Sequence, residues 1–127
     1  MNYKLRVTDG TYFDLNRIFC VGRNYLNHAH EMGHTSPEPP FFFMKPNSAL
    51  LRDNSEFVMP SFSNLVHYEV ELVIAIKGAV SPDPNSISSS IFGVGIGLDM
   101  TARDIQQEAK RLGRPWDISK GFSGAAI

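Results

Sequence analysis

Two glutamates one residue apart, Glu69 and Glu71, lie in an apolar stretch over residues 67–76, HYEVELVIAI. The stretch is rich in β-branched residues, which predicts a strand. Because side chains alternate between the faces of a strand, His67, Glu69 and Glu71 project from one side, with the Glu Cα atoms about 6.5–7 Å apart. Two carboxylates this close repel each other unless a cation lies between them. The pair indicates either a site for a hard cation such as Mg²⁺ or an edge strand whose acidic face meets water.

A third carboxylate, Asp99, lies near the end of a glycine-rich apolar segment over residues 92–100. Strand ends that lead into helices are frequent positions for ligands and metals, so Asp99 is a candidate third oxygen ligand. Arg103 follows four residues later and can turn back towards Asp99, with Gln106 on the same side of the predicted helix. The alternative is a turn aspartate with an ordinary exposed ion pair, which contributes little to stability.

Residues 30–34, HEMGH, match the H-E-x-x-H signature of zinc peptidases. That chemistry needs both histidines on one face of a continuous helix. Gly33 and the prolines after it end the predicted helix before His34 can align, which disfavours a peptidase. His28 and Glu31, three residues apart on the same predicted helix, form a different pair. A carboxylate there can orient an imidazole as a general base, and the alternative is two polar residues on an exposed face.

The predicted elements that position these residues are mostly strands. Strands are predicted at residues 4–7, 17–21, 41–44, 66–76 and 92–100, with a weaker candidate at 55–59. Helices are predicted at residues 25–32, 84–91 and 102–112, the last opened by a capping box at Thr101 and Asp104. The glycines of residues 93–97 lie within a strand, which excludes a dinucleotide-binding loop and predicts close approach by other backbone. The fold class is therefore mixed α/β and dominated by sheet.

Length and composition narrow the class of protein further. The 127 residues suffice for one domain with a core, and 12 basic against 13 acidic residues leave a formal charge of −1. No surface for nucleic acid or membrane is predicted. The single cysteine, Cys20, excludes an internal disulfide, and its apolar surroundings predict a core thiol. Because no signal peptide or membrane span stands out, a soluble cytoplasmic protein is expected.

In this order, the motifs closely resemble those of the fumarylacetoacetate hydrolase family, particularly its small acylpyruvate hydrolase and oxaloacetate decarboxylase branch. The resemblance covers residues 18–122. It rests on five ordered motifs: CVGRNY at 20–25 followed by His28 and Glu31, FFMKP at 42–46, HYEVE at 67–71, GLDMTARD at 97–104 with Gln106, and PW at 115–116 with Lys120. Any one of these motifs would be weak evidence, whereas their order and spacing together are specific.

The resemblance implies a role for each matching position. The ligands of a Mg²⁺ or Mn²⁺ ion would be three carboxylates, Glu69, Glu71 and Asp99. The dyad that activates water, on a short helix that acts as a lid in the family, would be His28 and Glu31. The substrate pocket would be lined by Arg103, Gln106 and Lys120, with Lys120 also a candidate catalytic residue. Counting three carboxylates against the ion, Arg103 and Lys120 leaves a formal charge of +1, which suits a small anionic keto acid.

The resemblance also implies an activity with several rivals. The leading activity is metal-dependent hydrolysis of the C–C bond in short acylpyruvates (β-diketo acids), releasing pyruvate. Decarboxylation and keto–enol tautomerisation of oxaloacetate pass through the same enolate and are the first alternatives. Family members continue beyond the position of Ile127 and form dimers. A partial, C-terminally truncated β-roll of one catalytic domain over residues 1–127 is therefore expected, with a homodimer where the domain is complete, and an inactive truncated domain is the remaining alternative.

Overall fold

The computed structural model describes residues 3–22 and 39–127. The strands, in chain order, are β1 (Tyr3–Arg6), β2 (Tyr12–Leu15), β3 (Ile18–Gly22), β4 (Phe41–Lys45), β5 (Val66–Ile76) and β6 (Ile91–Ala102). The helices are α1 (Arg103–Arg111) and α2 (Asp117–Lys120), with 3₁₀ turns at Asn47–Ala49 and Pro84–Ser90. Strands outnumber helices, which confirms the predicted sheet-dominated α/β class.

Among the described residues the strands form three antiparallel pairs, β1 with β2, β3 with β4, and β5 with β6. The β5–β6 ribbon is the longest, and β5 occupies the predicted residues 66–76 because its apolar, β-branched sequence favours extended backbone. Its register places Glu69 opposite Asp99 and Glu71 opposite Gly97. Residues 125–127 run along the other edge of β6. There the Leu98 N–H donates to the Ile127 carbonyl at 2.8 Å, and the Met100 N–H donates to the Ala125 carbonyl at 2.9 Å.

Several predicted elements differ from the structure. Residues 55–59 form no strand, and Phe57 packs instead against Phe122, with ring centroids 6.5 Å apart. Strand β2 and helix α2 were not predicted, because four-residue elements carry too little periodicity to stand out. The short helix predicted at residues 84–91 is confirmed, and it is a 3₁₀ helix at Pro84–Ser90. The predicted helix at residues 25–32 lies outside the described residues.

The capping box predicted at Thr101 and Asp104 does not form. Strand β6 continues through Ala102, and Ala102, the residue at the N-cap of α1, makes no side-chain cap. Asp104 instead accepts hydrogen bonds from Ser63 Oγ at 2.6 Å and from the Asn64 N–H at 2.8 Å. The carboxylate therefore joins the loop before β5 to the start of α1, a long-range contact that no local pattern contains.

The sequence predicted that other backbone approaches the glycines of β6 closely, and this is confirmed at Gly97. A side chain on Gly97 would lie 3.0 Å from the Ile127 carbonyl oxygen and 2.9 Å from Val73. In the described part of the chain, nothing lies within 4 Å of the corresponding positions on Gly93 and Gly95. The buried apolar core lies at the other end of the ribbon, around Ala49, Met100 and Ala125. Within the described ranges, no helix is long and apolar enough to cross a membrane.

Candidate active site

The site begins with two carboxylates that face each other across the β5–β6 ribbon. Glu69 and Asp99 are directly opposed in the register, so both project from the same face of the ribbon. His67 and Glu71 share that face of β5, as the alternation predicts. Asp99 is buried, and two opposed carboxylates of this kind need positive charge around them.

Lys120, at the end of α2, supplies the first positive charge. The residue is 2% exposed, and its Nζ donates to Glu69 Oε2 at 2.7 Å, to Asp99 Oδ2 at 2.8 Å and to Thr101 Oγ1 at 2.6 Å. Three acceptors use all three protons of the ammonium. Lys120 therefore bridges the two strands at the point where their carboxylates meet.

Arg103 supplies the second positive charge, but to Glu69 rather than to Asp99. One guanidinium nitrogen donates to Glu69 Oε1, and the other donates to Gln106 Oε1 at 2.5 Å. The expected pairing of Arg103 with Asp99 is therefore wrong, whereas the shared side of α1 for Arg103 and Gln106 is confirmed. Burial by itself would raise the pKa of Glu69, but the charges and hydrogen bonds of Lys120 and Arg103 outweigh it and lower that pKa.

A third cation, Lys45, was missed as a functional residue. It ends β4, is 1% exposed, and places Nζ 2.8 Å from Asp99 Oδ1. In the described structure Oδ1 accepts no hydrogen bond of good geometry, so this contact is an ion pair. Burial lowers the pKa of Lys45, and the charge of Asp99 opposes that shift. The only sequence signal was a lysine closing an apolar strand within the FFMKP motif.

Cys20 lies half-buried in β3, within the electrostatic reach of this cluster. Burial raises the pKa of its thiol to about 11, the charges of Asp99 and Glu71 add to the rise, and those of Lys45 and Lys120 oppose it. The thiol is therefore protonated and a poor nucleophile near neutral pH. Cys20 is only half-buried and lies outside the buried core cluster of Ala49, Met100 and Ala125, so the predicted core position is not confirmed.

The carboxylates suit a hard divalent cation by chemical type, since Mg²⁺ and Mn²⁺ prefer such oxygens. Glu69 Oε2 and Asp99 Oδ2 both lie within 2.8 Å of Lys120 Nζ, so they can also approach a single metal ion. Among the described residues, however, no three His, Cys, Asp or Glu side chains converge closely enough to hold a metal. Glu71 is offset by one residue pair on the same face, opposite Gly97. The three-carboxylate ligand set therefore stays a prediction.

The remaining two candidates, His28 and Glu31, lie outside the described residues. Their predicted role as a water-activating dyad stays a prediction as well. The described structure thus brings together Glu69, Asp99, Arg103, Gln106 and Lys120 from β5, β6, α1 and α2, and it adds Lys45 from β4.

Comparison with known proteins extends this picture. The chain is 42% identical over 106 residues to the mitochondrial oxaloacetate tautomerase of Arabidopsis thaliana, covering 83% of this chain and 48% of that protein. It is 36% identical over 114 residues to the oxaloacetate tautomerase of Escherichia coli K12, covering 89% of this chain and 52% of that protein. The chain thus spans about half the length of these curated relatives.

A solved structure shows the same fold. The fumarylpyruvate hydrolase of Pseudomonas aeruginosa, in complex with Mn²⁺ and pyruvate, superposes with a TM-score of 0.91 at 40% identity, covering 98% of this chain and 57% of that chain. The sequence model of the fumarylacetoacetate (FAA) hydrolase C-terminal domain matches residues 17–127. The protein therefore belongs to the fumarylacetoacetate hydrolase family.

Proposed function

We propose that this chain carries the active site of a divalent-metal-dependent enzyme that hydrolyses the C–C bond of short acylpyruvates and releases pyruvate. The observation that carries the proposal is the opposed pair Glu69 and Asp99, bridged by Lys120 and flanked by Arg103. Such a cluster concentrates both signs of charge at one buried place, which is the arrangement required to bind a cation together with an anionic substrate.

The formal charge of the cluster suits a dianionic substrate. The carboxylates of Glu69, Glu71 and Asp99 balance the charges of Lys45, Arg103 and Lys120. Adding a divalent ion would give the site a formal net charge of +2, whereas the same sum without Lys45 gives +1. Acylpyruvate enolates and oxaloacetate both carry two negative charges, so the net charge favours this class of keto acid over neutral substrates.

Glu69, Glu71 and Asp99 would hold the metal, which when bound supplies Lewis-acid stabilisation of negative charge developing on the keto acid. The two oxygens that would hold the ion, Glu69 Oε2 and Asp99 Oδ2, are the carboxylate oxygens that Lys120 contacts. The Lys120 ammonium would therefore lie where it could donate to a substrate oxygen or deliver a proton. Arg103 and Gln106, which hold each other, would orient the carboxylate end of the substrate.

In the proposed reaction, His28 takes a proton from water while Glu31 stabilises the resulting imidazolium. The hydroxide adds to the remote acyl carbonyl, and the bond between that carbon and the pyruvate methylene breaks. The electron pair goes to the methylene carbon, which takes up a proton from Lys120 or solvent. The products are a short carboxylic acid and pyruvate, and one water is consumed.

The experiment is Mn²⁺-dependent pyruvate release from acetylpyruvate by the unaltered chain, by Asp99→Asn and by Glu108→Gln. Asp99→Asn keeps the side-chain shape but removes the charge, and release should fall by about 100-fold or more. Glu108→Gln removes a carboxylate from an exposed pair with Arg111 and should leave release unchanged. Release that is independent of metal, or equal in Asp99→Asn, would contradict the proposal.

Oxaloacetate tautomerisation or decarboxylation is the second candidate, because two of the relatives bear the name oxaloacetate tautomerase. Neither reaction needs an attacking water. His28→Ala should therefore abolish acetylpyruvate hydrolysis while sparing much of the tautomerisation. If the unaltered chain binds Mn²⁺ but converts none of these substrates, the remaining hypothesis of an inactive partial domain is favoured. Cytoplasmic location and a homodimeric complete domain remain predictions.

A further inference from the structure

Lys45 is a buried cation outside the proposed sets of metal ligands and substrate-binding residues. Besides its ion pair with Asp99, its ammonium donates to the Met100 carbonyl at 3.2 Å and to the Lys120 carbonyl. Those two acceptors belong to the backbones of β6 and α2. Because a backbone carbonyl moves only with its element, the fold itself fixes the position of this ammonium.

The two lysines of the site therefore differ in how they are held. All three acceptors of Lys120 are side chains, which can rotate away or exchange partners. Lys45 has two backbone acceptors and faces the other oxygen of Asp99. Asp99 thus has one oxygen, Oδ1, against a fixed cation and one oxygen, Oδ2, against an exchangeable cation.

We infer that Lys45 is a positioning residue that orients the Asp99 carboxylate for metal binding. Its ammonium anchors Oδ1 and leaves Oδ2 on the side of Lys120, whose ammonium also contacts Glu69 Oε2. The inference rests on the proposed function, because it assumes that Asp99 binds a divalent ion. Partners that orient a metal ligand in this way typically contribute about 10–100-fold to metal affinity.

Charge alone predicts the opposite effect of removing Lys45. A fixed positive charge beside a ligand repels an incoming cation, so its loss would tighten metal binding if orientation did not matter. Orientation predicts weaker binding, because the buried carboxylate would lose its anchor and turn to other partners. The direction of the change in affinity therefore separates the two roles.

The test is Mn²⁺ binding to the 127-residue chain, followed by the paramagnetic resonance signal of free Mn²⁺, for the unaltered chain, Lys45→Met and Ser119→Ala. Lys45→Met keeps the length of the side chain without its charge, and affinity should fall by about 10–100-fold. Ser119→Ala is the matched control. Its buried hydroxyl donates to the Trp116 carbonyl at 2.7 Å and to neither carboxylate, so affinity should change by about twofold or less.

Equal or tighter Mn²⁺ binding by a folded Lys45→Met chain would overturn the inference and leave the proposed metal site standing. No binding by the unaltered chain would overturn the proposed metal site and the inference with it. Lys45→Gln, which keeps N–H donors without charge, is the second variant, and a smaller loss of affinity is expected. If neither Lys45 variant folds, by near-ultraviolet circular dichroism, while Ser119→Ala does, the role of Lys45 is purely structural.

Discussion

The two ends of the β5–β6 ribbon differ in how much of their side chains is buried. At the end that leads into α1, Asp99 and Thr101 are buried together with Met100 and Ala102. At the far end, apolar side chains lie open, with Val94 72% and Ile96 81% exposed. Both ends are paired as strands, with one register shift between Ala75 and Ile76 at the far end, so strand pairing by itself does not explain the difference.

The two ends differ in the neighbouring strands and side chains that pack around them. The site end has β5 on one edge of β6 and residues 125–127 on the other, and Lys45, Lys120 and Arg103 neutralise its carboxylates. Charged groups can be buried there because each has a partner. Within the described residues, the far end is covered only in part, by the ring of Phe13, whose centroid lies 5.2 Å from that of Phe92. An exposed apolar surface such as this one is typical of a face that packs against further protein.

The largest expected effect is loss of the central cation at the site end. Lys120→Met would leave Glu69 and Asp99 opposed without their shared ammonium, so the free energy of unfolding should fall by about 3–5 kcal/mol. Lys110→Met removes the same charge from a cation–π contact with Trp116 and should cost less than about 1 kcal/mol. Urea unfolding of both variants measures this. Equal costs would show that the buried ion pairs add nothing beyond surface charge.

The second largest effect is expected from shortening apolar side chains of β6, which should lower the free energy of unfolding at the site end much more than at the far end. Met100 and Ile96 lie four residues apart on the same face of the strand, one 8% and the other 81% exposed. Met100→Ala should cost about 2–5 kcal/mol, because it opens a cavity beside Ala49 and Ala125. Ile96→Ala should cost less than about 0.5 kcal/mol. A comparable cost for Ile96→Ala would mean that further protein, such as a second copy of the chain, covers the far end in solution.

The boundary between the two ends can be tested with glycines. Gly97→Ala would press a methyl group against Val73 and the Ile127 carbonyl, with an expected cost of about 1–3 kcal/mol. Gly95→Ala enters open space and should be neutral or stabilise the chain by up to about 1 kcal/mol, since it restricts the unfolded chain. Thermal unfolding of the pair gives the comparison. A destabilising Gly95→Ala would place close packing further along the ribbon than the described structure does.

The smallest expected effect on stability is that of Asp104, a carboxylate at the start of α1. Hydrogen bonds from Ser63 and Asn64 lower its pKa below the ordinary value of 3.8. A carboxyl whose pKa is lowered by folding stabilises the fold above its unfolded pKa, and this contribution disappears as the pH falls through the lower folded pKa. Asp104→Asn should therefore lower the unfolding midpoint at pH 6 and have less effect near pH 3. A difference that does not depend on pH would contradict this assignment.

The sequence by itself determined the elements with strong periodicity and the site residues that lie on them. The composition of residues 66–76 fixed strand β5, and strict alternation then placed Glu69 and Glu71 on one face without any tertiary information. The resemblance to the fumarylacetoacetate hydrolase family implied that Asp99, Arg103, Gln106 and Lys120 belong to one site, and the structure brings these four residues together with Glu69. A local sequence pattern can determine which side chains share a face of one element, because the backbone geometry of that element is regular.

Only the tertiary structure decided which partner each charge takes. Arg103 pairs with Glu69 instead of Asp99, and Asp104 bonds to the loop before β5 instead of capping α1. Lys45 reaches Asp99 because β4 packs against α2, which in turn packs against β6. Charged side chains are long and can meet many oppositely charged groups, so the pairing depends on which elements lie close in space and on how much water they exclude. Spacing along the chain contains neither quantity.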